Sequence, residues 1–217
     1  ISTAEPWHIW LKYPKLAKHV DFIAVHLLPY WEGIPVDASV DYVLQRYREL
    51  REAYPDKEIV ISEVGWPSNG RTRQGAVASH ANQAKFLRRF LAAAERDGLT
   101  YYLMEAFDQP WKRAIEGEVG SHWGVFDAER EPKFALTQPV VRIPNWHELA
   151  ALSVGMAVLL LLLLYRDSAS LSSSGKGFLA LITYAASTAA VLLVYEYTRQ
   201  YMTPLTTAVG VMLLIGG

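Results

Sequence analysis

Residues 59–68 read Ile-Val-Ile-Ser-Glu-Val-Gly-Trp-Pro-Ser. The stretch begins with a short, mainly apolar run that leads to the carboxylate of Glu63. Apolar side chains on consecutive positions are typical of a strand that is buried on both faces of a parallel sheet. Glu63 closes the run, and Trp66 and Pro67 follow shortly after it. The stretch therefore predicts a buried parallel strand whose carboxyl end carries polar and aromatic side chains.

Three further segments repeat this arrangement, at residues 1–5, 22–28 and 101–107. The residues at the carboxyl ends of these segments are Glu5-Pro-Trp-His, His26-Leu-Leu-Pro-Tyr-Trp and Glu105-Ala-Phe-Asp-Gln-Pro-Trp-Lys. In a (β/α)₈ TIM barrel the active site is built at the carboxyl ends of the strands, and a complete barrel takes about 250 residues. Residues 1–138 are therefore expected to hold half of a barrel. A doubly wound sheet is the alternative, but no Gly-rich phosphate loop follows any of the segments.

Helical spacing fills the gaps between these strands. Apolar residues recur every three to four positions from Asp37 onward, and Pro55 ends that pattern. A second helix is predicted from Ser79, a suitable N-cap, to Gly98, a suitable residue just beyond a helix end. Strands and helices alternate along the chain, which predicts an α/β fold with a parallel sheet.

The composition of the 217 residues removes several classes of function. A formal net charge of −1 leaves no electrostatic case for nucleic-acid binding, since phosphates need a basic surface. Cysteine is absent, so a disulfide framework, a thiolate metal site and a cysteine nucleophile are excluded. No metal-ligand spacing of His and carboxylates is visible, and we expect neither a metal nor a cofactor.

The last 69 residues differ sharply from the rest. They hold only five charged residues, whereas residues 1–148 hold 18 of the 21 Lys and Arg. Three runs carry no charge at all, at residues 149–165, 177–195 and 201–217. A membrane-spanning helix needs about 20 mainly apolar residues, so these runs predict three transmembrane helices, the last one truncated, after a linker at residues 139–148. A set of buried core helices is the alternative.

The two loops between these runs, residues 166–176 and 196–200, carry too few Lys and Arg to fix an orientation in the membrane. No ionisable residue lies inside a run, which argues against a transport site. Because the chain has no initiator Met and stops within an apolar run, we expect a fragment of a longer protein.

Carboxylates next to tryptophans indicate carbohydrate chemistry. Tryptophan rings offer flat apolar faces to sugar rings, and glycoside hydrolysis usually needs two carboxyl groups flanking the bond. The candidate carboxyls at strand ends are Glu5, Glu63, Glu105 and Asp108. Each could instead cap a helix or pair with a Lys or Arg. His26 could tune a carboxylate or bind a sugar, although a lone histidine is more often structural.

The motif at residues 61–68 resembles the nucleophile motif of glycoside hydrolase family 17, the β-1,3-glucanase and glucanosyltransferase family. Other segments resemble the family's fifth, sixth and last strands, the fifth in its bacterial branch. These segments are Thr3-Ala-Glu-Pro-Trp, Val25-His-Leu-Leu-Pro-Tyr-Trp and Phe107-Asp-Gln-Pro-Trp-Lys, the last followed by Glu116-Gly and Trp123-Gly-Val-Phe. Together they cover roughly residues 1–138. The added helices are similar to those of bacterial membrane proteins in which such a domain is joined to a glucan-synthesising glycosyltransferase.

The resemblance implies that Glu63 is the nucleophile at the end of strand seven, and that Lys112 and Glu116 support sugar binding. Gln109 stands where many plant members carry Glu. The family's acid/base is a Glu after Asn at the end of strand four, and this chain contains no Asn-Glu pair. We therefore expect the acid/base before Ile1, and the fragment alone to be inactive. The implied substrate-binding residues are Glu5, His26, Tyr30, Trp66, Glu105, Asp108, Gln109, Trp111, Lys112, Glu116 and Trp123.

Three functions stay open at this point. The first is a retaining β-1,3-glucan hydrolase or transglycosylase, multi-pass in a bacterial inner membrane, with the barrel in the periplasm and a glycosyltransferase in the same full-length chain. The second is a non-catalytic glucan-binding guide on a membrane glycosyltransferase. The third is a membrane transport or assembly component with a vestigial barrel.

Overall fold

The computed structural model describes residues 1–134, 136–137, 139–141, 143, 145–165 and 167–200. Contacts divide the chain into two compact units, residues 1–142 and residues 143–217. The third apolar run, residues 201–217, lies outside the described residues, so the helix predicted there stays a prediction.

The first unit is built on a four-stranded parallel sheet. Its strands are β1 (Ala4–Pro6), β2 (Ile23–Leu27), β3 (Ile59–Val64) and β4 (Thr100–Leu103), and they lie side by side in chain order. The predicted parallel α/β sheet is confirmed. A doubly wound sheet reverses its strand order at a switch point, and the four described strands show no such reversal.

Three helices connect the strands: α1 (Trp7–Lys12), α2 (Val36–Ala53) and α3 (His80–Asp97). The predicted ends of α3 are confirmed, because Ser79 Oγ accepts a hydrogen bond from the Asn82 amide at 3.1 Å and Gly98 closes the helix with φ 62°. A positive φ at this point is easy for glycine and costly for most other residues. A short helix, α4 (Arg113–Glu116), follows β4.

The core lies between the sheet and the helices. Val25 and Leu27 of β2 and Ile61 of β3 are fully buried, and Phe86 and Phe90 of α3 pack beside them as a stacked pair 5.9 Å apart. The pairing of β2 with β3 contains one irregularity. Val25 pairs with Ile61, but the next pair is His26 with Glu63, so Ser62 has no partner across the strands.

The last strand is shorter than the sequence predicts. β4 ends at Leu103, not at residue 107, because the chain leaves the sheet and pairs with a returning segment instead. Glu105 donates its amide to the Trp123 carbonyl at 3.1 Å and accepts from the Val125 amide at 2.9 Å. Gln83 of α3 anchors the returning segment by donating to the carbonyls of Trp123 and Gly124. The residues after β4 are thus held by hydrogen bonds outside the sheet.

The second unit contains two long helices, α5 (Trp146–Leu163) and α6 (Ser173–Gln200), which pack against each other. Small or β-branched side chains, Ser153 and Ala157 of α5 with Thr183, Ser187 and Val191 of α6, are buried in this pair, and small residues let helices approach closely. Both helices are long and apolar enough to cross a membrane, by length and composition only. Few of their side chains are buried, unlike those of a soluble core helix.

The helix bounds differ from the predicted runs. α5 begins within the predicted linker, three residues before position 149, and α6 continues through residues 196–200, which are predicted from the sequence to form a loop. The charges of Glu196 and Arg199 suggested that loop. Neither charge breaks a helix, and there is no Gly or Pro between residues 178 and 200 to end it.

Candidate active site

Glu63 lies at the carboxyl end of β3, with 38% of its side chain exposed. Its Oε2 atom is 3.5 Å from Nδ1 of His26, which lies at the end of the neighbouring strand β2. Within the described residues, no other hydrogen bond or ion pair of this carboxylate is found. A carboxylate with one histidine neighbour and an exposed side is accessible to a bound molecule.

Glu105 follows β4 and is held much more tightly. Its Oε2 atom accepts hydrogen bonds from Gln109 and from the Lys112 ammonium, the latter at 2.7 Å. The pair Glu105–Lys112 is largely shielded from solvent. The second carboxylate oxygen, Oε1, is buried and has no partner in the described part of the chain. An unpartnered buried oxygen is costly, so this atom is suited to accept a hydrogen bond from a ligand hydroxyl.

Trp111 presents an open aromatic surface beside this group. Its side chain is 63% exposed, and its Nε1 donates to Oε1 of Gln109 at 2.8 Å. Gln109 in turn donates to Glu105, so one amide side chain links the indole to the carboxylate. The ring therefore has an anchored edge and an exposed face, as a sugar-stacking platform requires.

Three other aromatic residues do not lie where the resemblance implies. Tyr30, Trp66 and Trp123 are 0–1% exposed, and Tyr30 packs edge-to-face on each tryptophan, with ring centroids 5.8 Å from Trp123 and 5.9 Å from Trp66. Trp66 Nε1 donates to the Val77 carbonyl at 3.1 Å. Their faces are covered by protein, because they form the core beneath the strand ends. The sugar contacts predicted for these three rings are therefore corrected to core packing.

A largely buried ionic network joins residues that follow β4, and of its members only Asp108 is predicted from the sequence. Asp108 accepts from Lys133 at 2.5 Å and lies 3.3 Å from Nδ1 of His122, and Nε2 of His122 lies 2.9 Å from Glu118. Arg113 also pairs with Glu118. Asp108 lies 14 residues from His122 and 25 from Lys133, and the group follows no motif spacing, so nothing in the sequence signalled the network.

The network shifts the titration of its members. Burial acts to raise the pKa of Asp108, but hydrogen bonds from His122 and Lys133 outweigh it and hold that pKa below its ordinary value. Burial likewise opposes the shift of Glu118, whose pKa is lowered by His122 and Arg113. Burial acts to lower the pKa of His122, yet the two carboxylates raise it above its ordinary value. The three groups are thus stabilised in their charged forms, and Asp108 is expected to hold the loop rather than a sugar.

Glu5 and Glu116 are the two other carboxylates predicted to bind substrate. Glu5 lies on the edge strand β1 and accepts from Thr3 Oγ1 at 3.2 Å, with β2 between it and β3. Glu116 is exposed at the end of α4. The carboxylate with built-in partners in that segment is Glu118, so the supporting role predicted for Glu116 stays a prediction. No three His, Asp or Glu side chains of the described residues come together as a metal site.

The sheet brings two groups of side chains to one edge. Val64 pairs with Leu103 across β3 and β4, so Glu63, near the end of β3, and Glu105, just after β4, lie at the carboxyl ends of neighbouring strands. A model of the BtgE/BtgC glycoside hydrolase domain matches residues 1–124, more than half of the chain. The chain belongs to this family.

Two similar proteins support the membership of this chain in the BtgE/BtgC family. Glucan 1,3-beta-glucosidase of Arthroderma benhamiae is 29% identical over 153 residues, which are 62% of this chain and 49% of that protein. The putative glucan endo-1,3-beta-glucosidase btgC of Aspergillus niger is 30% identical over 148 residues, which are 60% of this chain and 21% of that protein.

A solved structure agrees as well. The glycoside hydrolase family 17 beta-1,3-glucanosyltransferase from Rhizomucor miehei superposes with a TM-score of 0.56 at 31% identity, over 62% of this chain and 49% of that one. The resemblance to glycoside hydrolase family 17 is therefore confirmed. The chain spans about half the length of the Arthroderma and Rhizomucor proteins. These named relatives are fungal, and the bacterial branch stays a prediction.

Proposed function

We propose that this BtgE/BtgC-family chain supplies the nucleophile and part of the glucan-binding surface of a retaining β-1,3-glucan hydrolase or glucanosyltransferase. The observation that carries the proposal is the contrast between Glu63 and the other carboxylates near the strand ends. Glu105, Asp108 and Glu118 each have at least two polar partners, whereas Glu63 has only the contact with His26 among the described residues. Glu5 also has few partners, but it lies on β1, with β2 between it and β3. On the neighbouring strands β3 and β4, Glu63 is therefore the carboxylate available as a nucleophile.

The reaction would proceed in two displacements. A Glu63 oxygen attacks the anomeric carbon while the glycosidic C–O bond breaks, and a second carboxyl group protonates the leaving oxygen. In the second step, water or a glucan hydroxyl attacks the same carbon, gives its proton to that second carboxylate, and releases Glu63. We propose that the second carboxyl lies outside these 217 residues, on the fourth strand of a barrel whose strands five to eight are β1 to β4.

The surface after β4 would bind the glucan. Glu105 offers its unpartnered Oε1 to a sugar hydroxyl, and Lys112 adds a donor beside it. Trp111 offers an indole face for stacking. A platform that holds an acceptor sugar favours transfer over hydrolysis, so we favour glucanosyl transfer. The solved Rhizomucor miehei mutant in complex with laminaritriose is similar to this chain at 30% identity, which supports a β-1,3-glucan substrate.

The second unit would anchor this domain to a membrane. α5 and α6 have the length and apolarity of spanning helices, and most of their surface is exposed rather than buried. A multi-pass protein of a bacterial inner membrane, with the glucanase domain in the periplasm and a glycosyltransferase in the same full-length chain, is the arrangement that the resemblance implies. A glucan-binding guide without catalysis would need the binding surface but not an available Glu63.

The test is to incubate the intact protein with laminari-oligosaccharides of one length and to follow the products by chromatography. Hydrolysis gives shorter products only, and transfer gives shorter and longer products together. Binding of the oligosaccharides without any change in their length would support the guide and contradict the enzyme.

A further inference from the structure

The register between β2 and β3 determines what Glu63 faces. Paired residues of neighbouring strands share one face of the sheet, and a shift by one residue moves a side chain to the opposite face. In a regular continuation of the Val25–Ile61 pair, His26 would lie beside Ser62. The bulge omits Ser62 from the pairing and places Glu63 beside His26 instead. Bulges near active sites are known to re-aim side chains in this way.

The strand also prepares His26 for this role. Ile23, Ala24, Val25 and Leu27 of β2 are all buried apolar residues, and His26 is the one polar residue of the strand. Its ring is mostly buried, with 24% of the side chain exposed, while Nδ1 lies 3.5 Å from the Glu63 carboxylate. Because β2 holds the His26 ring in place, the ring can hold the Glu63 carboxylate in one orientation.

We propose that His26 is a positioning residue for the nucleophile, rather than a sugar-binding residue; this inference rests on the proposed nucleophilic role of Glu63. Nδ1–H donates to Oε2 of Glu63 and holds the carboxylate rotamer, so that Oε1 is presented to the anomeric carbon. Hydrogen bonds of this kind are often long in a ligand-free site and shorten in the complex. Without the donor, the carboxylate rotates and less of it has the geometry needed for attack.

Two substitutions separate positioning from packing. His26→Asn keeps an N–H donor near the place of Nδ1, whereas His26→Leu keeps the approximate size and removes the donor. His19→Leu makes the same chemical change at an exposed histidine outside the site and serves as the control.

The reporter is covalent labelling of Glu63 in the intact protein by a laminaribioside with fluorine at carbon two and a dinitrophenolate leaving group. A Glu63 oxygen forms the bond to the anomeric carbon, and the aryl C–O bond at that carbon breaks and releases dinitrophenolate without needing a proton. The fluorine slows the second displacement, so the labelled peptide accumulates for mass spectrometry. The assay reads the step on which the proposed contact acts, at several reagent concentrations that separate binding from reaction.

We expect His26→Leu to lower the maximal labelling rate about 10- to 100-fold, the effect of losing one hydrogen bond to a charged group, with reagent affinity nearly unchanged. His26→Asn should recover most of the rate, and His19→Leu should match the wild type. Equal maximal rates for wild type and His26→Leu would overturn the positioning role and leave the proposed function intact. So would a loss of affinity at an unchanged maximal rate, because it would mean that His26 binds sugar. Absence of labelling in the wild type would overturn the proposed function and this inference together.

Discussion

Glu63 and Glu105 are carboxylates at the carboxyl ends of neighbouring strands, but their surroundings give them different chemistry. Lys112 and Gln109 occupy one oxygen of Glu105 and hold it close to the protein. Glu63 has an exposed side and a single contact with His26 among the described residues. The same functional group is therefore fixed for binding in one place and available for attack in the other.

We expect Glu63→Gln in the intact protein to lower glucan cleavage and transfer by several orders of magnitude while glucan binding is largely retained. The amide has nearly the size of the carboxylate, so packing survives, but it cannot form the covalent intermediate of a retaining mechanism. Glu105→Gln is the matched control and should cost less, through weaker binding. Chromatography of the products and a glucan-binding measurement on the same preparations compare the two variants. A larger loss of turnover in Glu105→Gln than in Glu63→Gln would refute the assignment.

Two tryptophans allow binding and packing to be separated. Trp111→Ala removes an exposed indole, so it should weaken glucan binding while changing the free energy of unfolding by less than about 0.5 kcal/mol. Trp123→Ala removes a ring that is 1% exposed, and should lower the free energy of unfolding by about 3–5 kcal/mol. Thermal unfolding and oligosaccharide titration of both variants test this. An unchanged free energy of unfolding in Trp123→Ala would contradict the core role assigned to that ring.

At the scale of the elements, local patterns predicted β2, β3, α2 and α3 well, because buried strands and amphipathic helices carry their signal in residues that are close in the sequence. Ser79 and Gly98 mark the two ends of α3 in the sequence as they do in the structure. The end of β4 could not be predicted, since it depends on pairing with residues 123–126, which are far along the chain. The continuation of α6 was missed because charged residues were taken for a loop.

The candidate site shows the same division. Glu63 was found because its motif is contiguous, and its position at a strand end follows from the apolar run before it. The burial of Trp66 and Trp123 was not predictable, because a tryptophan after a strand can face either a ligand or the core. Contacts of Asp108 with His122 and Lys133 join residues 14 and 25 positions apart. Only the folded loop reveals that they meet.

The loop after β4 depends on this network, and Asp108→Ala tests how strongly. The substitution leaves Lys133, whose side chain is 3% exposed, without its carboxylate. Removing one partner of a buried ion pair costs about 3–5 kcal/mol, and we expect a loss of that size in the free energy of unfolding. Asp97→Ala, which breaks an exposed pair with Arg96, should cost less than about 1 kcal/mol. Similar losses in the two variants would show that the network adds no special stability.

The same network predicts a pH window of stability. The pKa values of Asp108 and Glu118 are lowered, so their contribution is present above the ordinary carboxyl pKa, about 4, and is lost as pH falls through the lowered values. The pKa of His122 is raised, so its contribution is complete below the ordinary value, about 6.5, and is lost as pH rises through the raised value. The stabilisation contributed by Asp108, Glu118 and His122 should be greatest between about pH 4 and 6.5, whereas burial lowers the pKa of Lys133 and opposes its charged form.

Unfolding midpoints of wild type and His122→Gln, measured from below about pH 4 to well above about pH 6.5, provide the check. The decline on the alkaline side should be weaker in the variant, while His19→Gln, at an exposed position, should follow the wild type. An alkaline decline that is unchanged in His122→Gln would assign it to another group.

At the scale of the whole molecule, the surfaces of the two units differ in polarity. The first unit covers its core with charged side chains and carries nearly all of the charge of the chain. In the second unit, large apolar side chains such as Leu159, Leu162 and Leu181 are more than half exposed. Such surfaces are unfavourable in water, where monomeric proteins rarely expose large contiguous apolar patches, and favourable in hydrocarbon. A protein that joins the two would keep a glucan-active domain next to a membrane.

If α5 crosses a bilayer, residues before and after it lie on opposite sides. The chain has no cysteine, so Ala128→Cys and Ser172→Cys each introduce a single thiol, both at exposed positions, one in the first unit and one between α5 and α6. We expect a membrane-impermeant maleimide to label only one of them in intact cells and both after lysis, because one crossing separates them. The resemblance predicts that Ala128→Cys is the accessible one. Equal labelling of both positions before lysis, whether complete or absent, would show that α5 does not span, and the long apolar surface of α5 and α6 would then have to be covered by protein.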